Sequence, residues 1–178
     1  MADTALGTTI KNTAWGSLHL SIGATGTNDA MATTFDDLGL IAENGFSFAN
    51  EAGEEKTLRD INGDLVDFLK RAGTIKINCT LLKPSESTRG KFWEMSKDST
   101  SGEVSVKDTI KNTFFSIKIE NKEATGSEGL KAAKCRIFAE APEWDPDNGW
   151  TVPLEITILR AGKTTTDKGT LFVFYDVK

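Results

Sequence analysis

Apolar residues recur at every second position through most segments of this chain that carry a clear pattern, and that spacing constrains the fold more than any other feature. The run Thr74 to Leu82, TIKINCTLL, sets Ile75, Ile77, Cys79 and Leu81 on one face and Lys76, Asn78 and Thr80 on the other. Successive side chains of a strand point to opposite sides, so this alternation marks a strand with one buried face. The same period runs through Thr113, Phe115, Ile117 and Ile119, through Ala133, Cys135, Ile137 and Ala139, and through Trp150, Val152, Leu154, Ile156 and Ile158. Shorter strands are expected at Ser17 to Ile22, Glu103 to Val106 and Thr170 to Val177.

Turn chemistry joins these runs. Asn62-Gly63 lies inside Glu54 to Lys70, and Asn44-Gly45 lies inside Asp37 to Ala49. Each predicts a hairpin with a type I′ turn, whose two central residues need positive φ. Gly23 to Thr34, rich in Gly, Thr, Asn and Ala, reads as a long loop, and Asn121 to Gly129 as a polar linker. One helix is expected from an N-cap at Ser85 to about Lys97, with Phe92 and Met95 on one face and Trp93 beside them. Gly90 weakens it by about 1 kcal/mol relative to alanine, so packing must hold it. Many strands and one helix give a mainly β chain, an antiparallel β-sandwich or barrel with one flanking α-helix over an open end or edge.

At 178 residues the chain is expected to form a single domain, 1–178. It has neither a basic start with an apolar run after it nor a stretch near the ~20 apolar residues that span a bilayer. A soluble cytoplasmic product without a membrane anchor is the expectation. Cys79 and Cys135 each fall on an apolar strand face, where free cysteine behaves as a small hydrophobe, so two packed thiols are expected rather than a disulfide.

The chemistry of sites is thin. The one histidine, His19, sits between Leu18 and Leu20 and reads as a partly buried strand residue rather than a general base. No nucleophile elbow, phosphate-cradling loop or metal-ligand spacing occurs, so no catalytic residue, metal site or cofactor is expected, and the chain is not expected to be an enzyme. Asp145, Asp147, Asn148 and Gly149 superficially resemble the start of a calcium loop, but the bidentate glutamate is missing and turn chemistry explains them more simply. A net charge of −5 argues against a firm grip on nucleic acid. Of the tryptophans, Trp93 reads as helix packing and Trp150 as a strand-start anchor. Trp15 and Trp144 lie in irregular segments and are the candidate exposed or interface aromatics.

Charge is uneven along the chain. Asp29 to Asp64 holds nine acidic residues against two basic ones, and Leu65 to Lys122 holds seven against eleven. If those segments occupied different ends of one barrel, the molecule would be a dipole suited to head-to-tail pairing, which generates rings or filaments. Simple solvation of loops is the alternative reading.

The run LGLIAENGFSFANEAGEEKTLRDINGDLVDFLKRAGTIKINCTLL with its capped helix, and the closing segment CRIFAEAPEWDPDNGWTVPLEITILRA, resemble the tube proteins of long-tailed bacteriophages. The resemblance spans Leu38 to Ala161 as a pattern of elements. It implies a sandwich or barrel with one flanking helix, stacked as hexameric rings into a hollow tube for DNA passage, and related tubes occur in contractile tails and type VI secretion. It also implies an acidic inner wall, and places the protein in the virion tail after assembly in the bacterial host cytoplasm. The partners so implied are further copies of itself, other tail proteins and DNA in transit. Carried onto this chain, the subunit-bridging loop falls within Ala49 to Asp64, with Glu51, Glu54, Glu55 and Lys56, and the terminal bridges are segments 1–16 and 161–178. The long loop Gly23 to Thr34 and a strand after Ala161 depart from the family pattern. A carbohydrate- or protein-binding β-sandwich without catalysis is the alternative.

Overall fold

The computed structural model describes residues 18–71, 73–111, 113–122, 127–147, 149–162 and 169–177. The chain is mainly β, and every strand pairing among the described residues is antiparallel. Six strands close into a barrel: β1 (Leu18–Ala24), β2 (Asp36–Glu51), β5 (Thr74–Leu82), β11 (Gly149–Ile158), β9 (Glu128–Ala139) and β8 (Phe114–Asn121). Neighbours pair in the cyclic order β2-β5-β11-β9-β8-β1, and the β11–β9 pairing closes the ring. Closure satisfies the edges that an open sheet would expose. Of the two architectures the alternation allowed, the barrel is the one adopted.

The inward side chains follow the period-two pattern. Leu20 and Ile22, Ile117 and Ile119, Cys135 and Ile137, Leu154 and Ile156, and Ile77, Cys79 and Leu81 meet in one buried cluster. Both cysteines are free and buried within it, and burial pushes each thiol up to about 12. Thiolate is the reactive form, so neither is expected to take a maleimide label at pH 8 in the folded protein, while both label after unfolding in urea. Fast labelling of either in the native state would show that the barrel opens.

Three expectations need correction. Asp37 to Ala49 is not a hairpin. Residues 36–51 form a single strand: 36–40 run antiparallel to β1, and Ile41 and then Phe46 to Glu51 run antiparallel to β5, with a register shift between Ile41 and Phe46. Asn44-Gly45 thus falls where extra residues are absorbed into a bulge: the segment before it pairs mainly with β1 and the segment after it with β5, so the strand runs on between its two neighbours without reversing.

The helix α1 is also shorter than expected, Glu86–Phe92, and Trp93–Lys97 is instead β6, paired with β7 (Val104–Ile110). Ser85 caps as expected, its Oγ accepting from the Thr88 N–H at 3.1 Å, and Phe92 enters the barrel core. Met95 shares no helical face with Phe92, because pairing with β7 supplies the backbone partners that a further helical turn would have provided.

The third correction concerns the turn at Asn62-Gly63. The hairpin exists, as β3 (Glu55–Arg59) and β4 (Leu65–Lys70), but Asp60 N–H donates to Asp64 O and Gly63 N–H to Asp60 O. Only Gly63 takes positive φ, +87°, which fits a type I turn ending in a glycine bulge rather than a type I′ turn. The Asp60 carboxylate decides this, accepting from the Asn62 and Asp64 N–H groups at 2.9 and 2.8 Å.

The loop after β1 is packed against the outside of β8 and β9. Ala32 N–H donates to Ser116 Oγ at 2.9 Å, and that hydroxyl donates to Ala133 O at 2.7 Å. This explains why Ser116 and Ala133 are both buried though they face outward; Ala133 leaves the face expected with Cys135 because the β8–β9 register shifts there. The last strand, β12 (Val173–Asp176), lies along the first half of β9, in line with β11, and forms an edge of the sheet. Tyr175 Oη donates to the Glu120 carboxylate and pins it there; partial burial and that carboxylate both raise the phenol above its usual range.

Candidate assembly interface

The β3–β4 ribbon leaves the barrel between Glu51 and Thr74, which are paired across β2 and β5. At its root the two backbones come so close that a Cβ on Gly73 would sit 1.9 Å from Glu51 O, so only glycine fits. Beyond the root no residue of either strand is buried. A two-stranded ribbon on its own is marginally stable in water, and this one also exposes Leu58, Ile61, Leu65, Val66, Phe68 and Leu69. Such an apolar arm is a surface that calls for a partner.

Its two faces are both apolar. Residues directly opposite across the pair project to the same side, so Phe68 shares a face with Thr57, while Leu69 opposite Lys56 and Leu58 opposite Asp67 lie on the other. The sequence does carry a signal for this. In LVDFL, residues 65–69, apolar residues stand side by side, so alternation breaks and both faces of the strand become apolar.

The charged residues expected at an interface are found at the ribbon base, engaged within the chain. Glu54 pairs with Arg71 at 3.0 Å and with Lys56 at 3.7 Å, and Glu55 pairs with Lys70 at 2.9 Å. Glu51 lies at the end of β2, 2.6 Å from Lys76 Nζ, which Glu155 also approaches at 3.2 Å. The Glu51 carboxylate, with Glu155, holds the Lys76 ammonium above the usual lysine range. Exposed pairs of this kind contribute little, because water and salt screen them. They stitch the ribbon root together, and the apolar residues carry the larger unsatisfied surface.

The same pairs overturn the end-to-end dipole. The acidic and basic segments lie side by side, β2 against β5 and β3 against β4, so their charges neutralise locally. Asp36 with Lys91, and Asp37 with Lys122, extend the pattern. His19 Nδ1 lies 3.0 Å from the Asp37 carboxylate. Partial burial of Asp37 raises its pKa, but hydrogen bonds from Lys122, the Gly39 N–H and His19 outweigh it and hold the carboxyl below its usual range.

Trp144 is exposed, as expected, but Trp150 does not anchor its strand inward. The two stand opposite each other across β10 (Glu143–Asp145) and β11, edge to face with ring centroids 5.3 Å apart, 62% and 54% exposed. Asp145 Oδ1 accepts from the Asp147 N–H at 2.8 Å, which is turn chemistry at the supposed calcium loop. Trp15, the N-terminal bridge 1–16 and Asn148 lie outside the described residues. Among the described residues no helix is long and apolar enough to cross a membrane.

No family model matches the chain, and no curated protein matches it. Among solved structures it is similar to a chain of the sheath-tube complex of an extracellular contractile injection system, PVC, in its extended state, at 10% identity and a TM-score of 0.43, covering 99% of this chain and 100% of that one.

Proposed function

We propose that this chain is a non-enzymatic structural subunit that assembles with copies of itself into stacked rings, the hollow tube of a phage tail or a related injection machine. The observation that carries the reading is the β3–β4 ribbon: an arm with both faces apolar and no buried residue, rooted on a closed barrel. A closed barrel with its own buried core needs no partner to fold, so a partner-seeking arm serves assembly. The family resemblance from Leu38 to Ala161 supplies the tube, its residence in the virion tail, its formation in the host cytoplasm and the passage of DNA. An acidic inner wall would let DNA slide, since like charge prevents the counterion release that makes phosphate binding tight.

Negative-stain microscopy of concentrated protein is expected to show rings or hollow filaments. A particle that stays monomeric across salt and concentration would sink the proposal. The exposed Trp144–Trp150 pair favours a carbohydrate-binding sandwich as the second reading. Its edge-to-face geometry offers only one flat face at a time, so a sugar ring finds a narrow platform. Glycan-array binding that disappears in Trp144→Ala would establish that reading.

A further inference from the structure

We infer that the tip of the β3–β4 ribbon of one copy seats on the outer wall of β8 and β9 of the next copy, at Phe114, Arg136 and Phe138. The inference rests on the self-assembly reading and names the surface that the arm meets.

Topology supplies the first argument. In the cyclic order β2-β5-β11-β9-β8-β1, strand β2 lies three places from β9, and β5 lies three places from β8. The ribbon joins β2 to β5, and the patch lies on β8 and β9, so arm and patch are on opposite walls of one barrel. A contact between two different surfaces on opposite walls is heterologous, and such contacts build rings or filaments by propagating from copy to copy.

Chemistry supplies the second. Phe114 and Phe138 are 37% and 43% exposed on a wall whose other outward residues are mostly polar. Arg136 pairs with Phe114 across β8 and β9, its guanidinium carbon 5.2 Å from the ring centroid, and Lys134 Nζ lies over the same ring at 4.6 Å. Lys134 is drawn off by Asp29 at 2.9 Å, so Arg136 is the cation best placed to meet a carboxylate. The facing surface on the ribbon, Leu58 to Asp67, combines aliphatic side chains with three carboxylates and one guanidinium, Arg59, which is already donating to Gly63 O at 2.8 Å. Aliphatic groups against aromatic rings, with net negative against net positive charge, make a complementary pair.

Charge also disfavours the other exposed aromatic site. Trp144 and Trp150 lie in a segment, 140–150, that carries Glu140, Glu143, Asp145 and Asp147, against one cation beside it, Lys83, whose side chain packs at the Gly149 turn. An acidic tip placed there would meet like charge, and such juxtaposition is a device against wrong partners.

The test uses full-length chains under mild oxidation, at a concentration where the wild type assembles. Cys79 and Cys135 are buried and stay silent. A chain carrying both Ile61→Cys and Phe138→Cys is expected to give a reducible ladder extending beyond dimers, while each single variant stops at dimers. In parallel, Arg136→Glu is expected to raise the concentration at which assembly begins by about tenfold, and Asp67→Arg in the same chain to recover part of that loss. A ladder from Ile61→Cys with Trp144→Cys, and none with Phe138→Cys, would overturn the inference. So would an absent ladder together with unaltered assembly of Arg136→Glu; the self-assembly reading would then survive. Wild-type protein that never assembles overturns both.

Discussion

An Ile156→Ala protein is expected to lose about 2–5 kcal/mol of unfolding free energy, read as a lower urea midpoint with an unchanged slope. Ile156 is fully buried and lies opposite Ile77 on β5 and Ile137 on β9, so three strands meet at its side chain. It sits on β11, the strand whose pairing with β9 closes the barrel. Truncation there removes buried carbon and leaves a cavity in a closed cylinder whose walls are tied on both sides and collapse poorly. The control is Ile61→Ala at the ribbon tip, where the side chain is fully exposed and the change is expected to stay within about 0.5 kcal/mol. Equal losses at both positions would mean that the ribbon packs on its own barrel, contrary to the fold described above.

Excising the ribbon is the second large effect, and it acts on assembly alone. Replacing residues 54–71 by a short glycine-serine turn is expected to abolish rings and filaments while the thermal midpoint moves by no more than about 2 °C. Glu51 and Thr74 already face each other across β2 and β5, so a tight turn can join them without disturbing either strand. No residue of β3 or β4 is buried, so the barrel loses almost no packing. Loss of cooperative unfolding in the excised protein would refute this division of labour. Retained assembly would move the search for the interface to the terminal segments and the Trp144–Trp150 edge.

Much of the barrel is legible in the sequence because its inner face is read by a local rule. Alternation in TIKINCTLL fixes which side of β5 is inward whatever its neighbours are, and β5 has the bounds expected from it. The N-cap at Ser85 is similarly local, a hydroxyl three residues from the N–H it accepts from. Where a local signal failed, a non-local partner had won. Asn44-Gly45 permits a reversal but does not compel one, and β1 on one side and β5 on the other pair the flanking segments as one continuous strand. Residues 93–97 had helical spacing for Phe92 and Met95, and β7 recruited them into a ribbon.

The candidate interface divides in the same way. Glu51, Glu54 and Glu55 stand out in the sequence as charges, yet their partners Lys76, Arg71 and Lys70 lie on β5 and at the end of β4, and only the fold brings them together. The apolar set on the ribbon was written in LVDFL, but a run of that kind inside a closed sheet would have been core. Its exposure depends on β3 and β4 pairing only with each other.

By itself, then, the sequence determined strand character, the inward face of β5 and of most of β8, β9 and β11, the two packed thiols and the start of α1. All of these depend on residues within a few positions of one another. The tertiary structure decided that the sheet closes, that the acidic and basic segments lie side by side, and that arm and patch occupy opposite walls. Those outcomes depend on which distant strands pair, and the energy that selects among pairings belongs to the whole barrel rather than to any one segment.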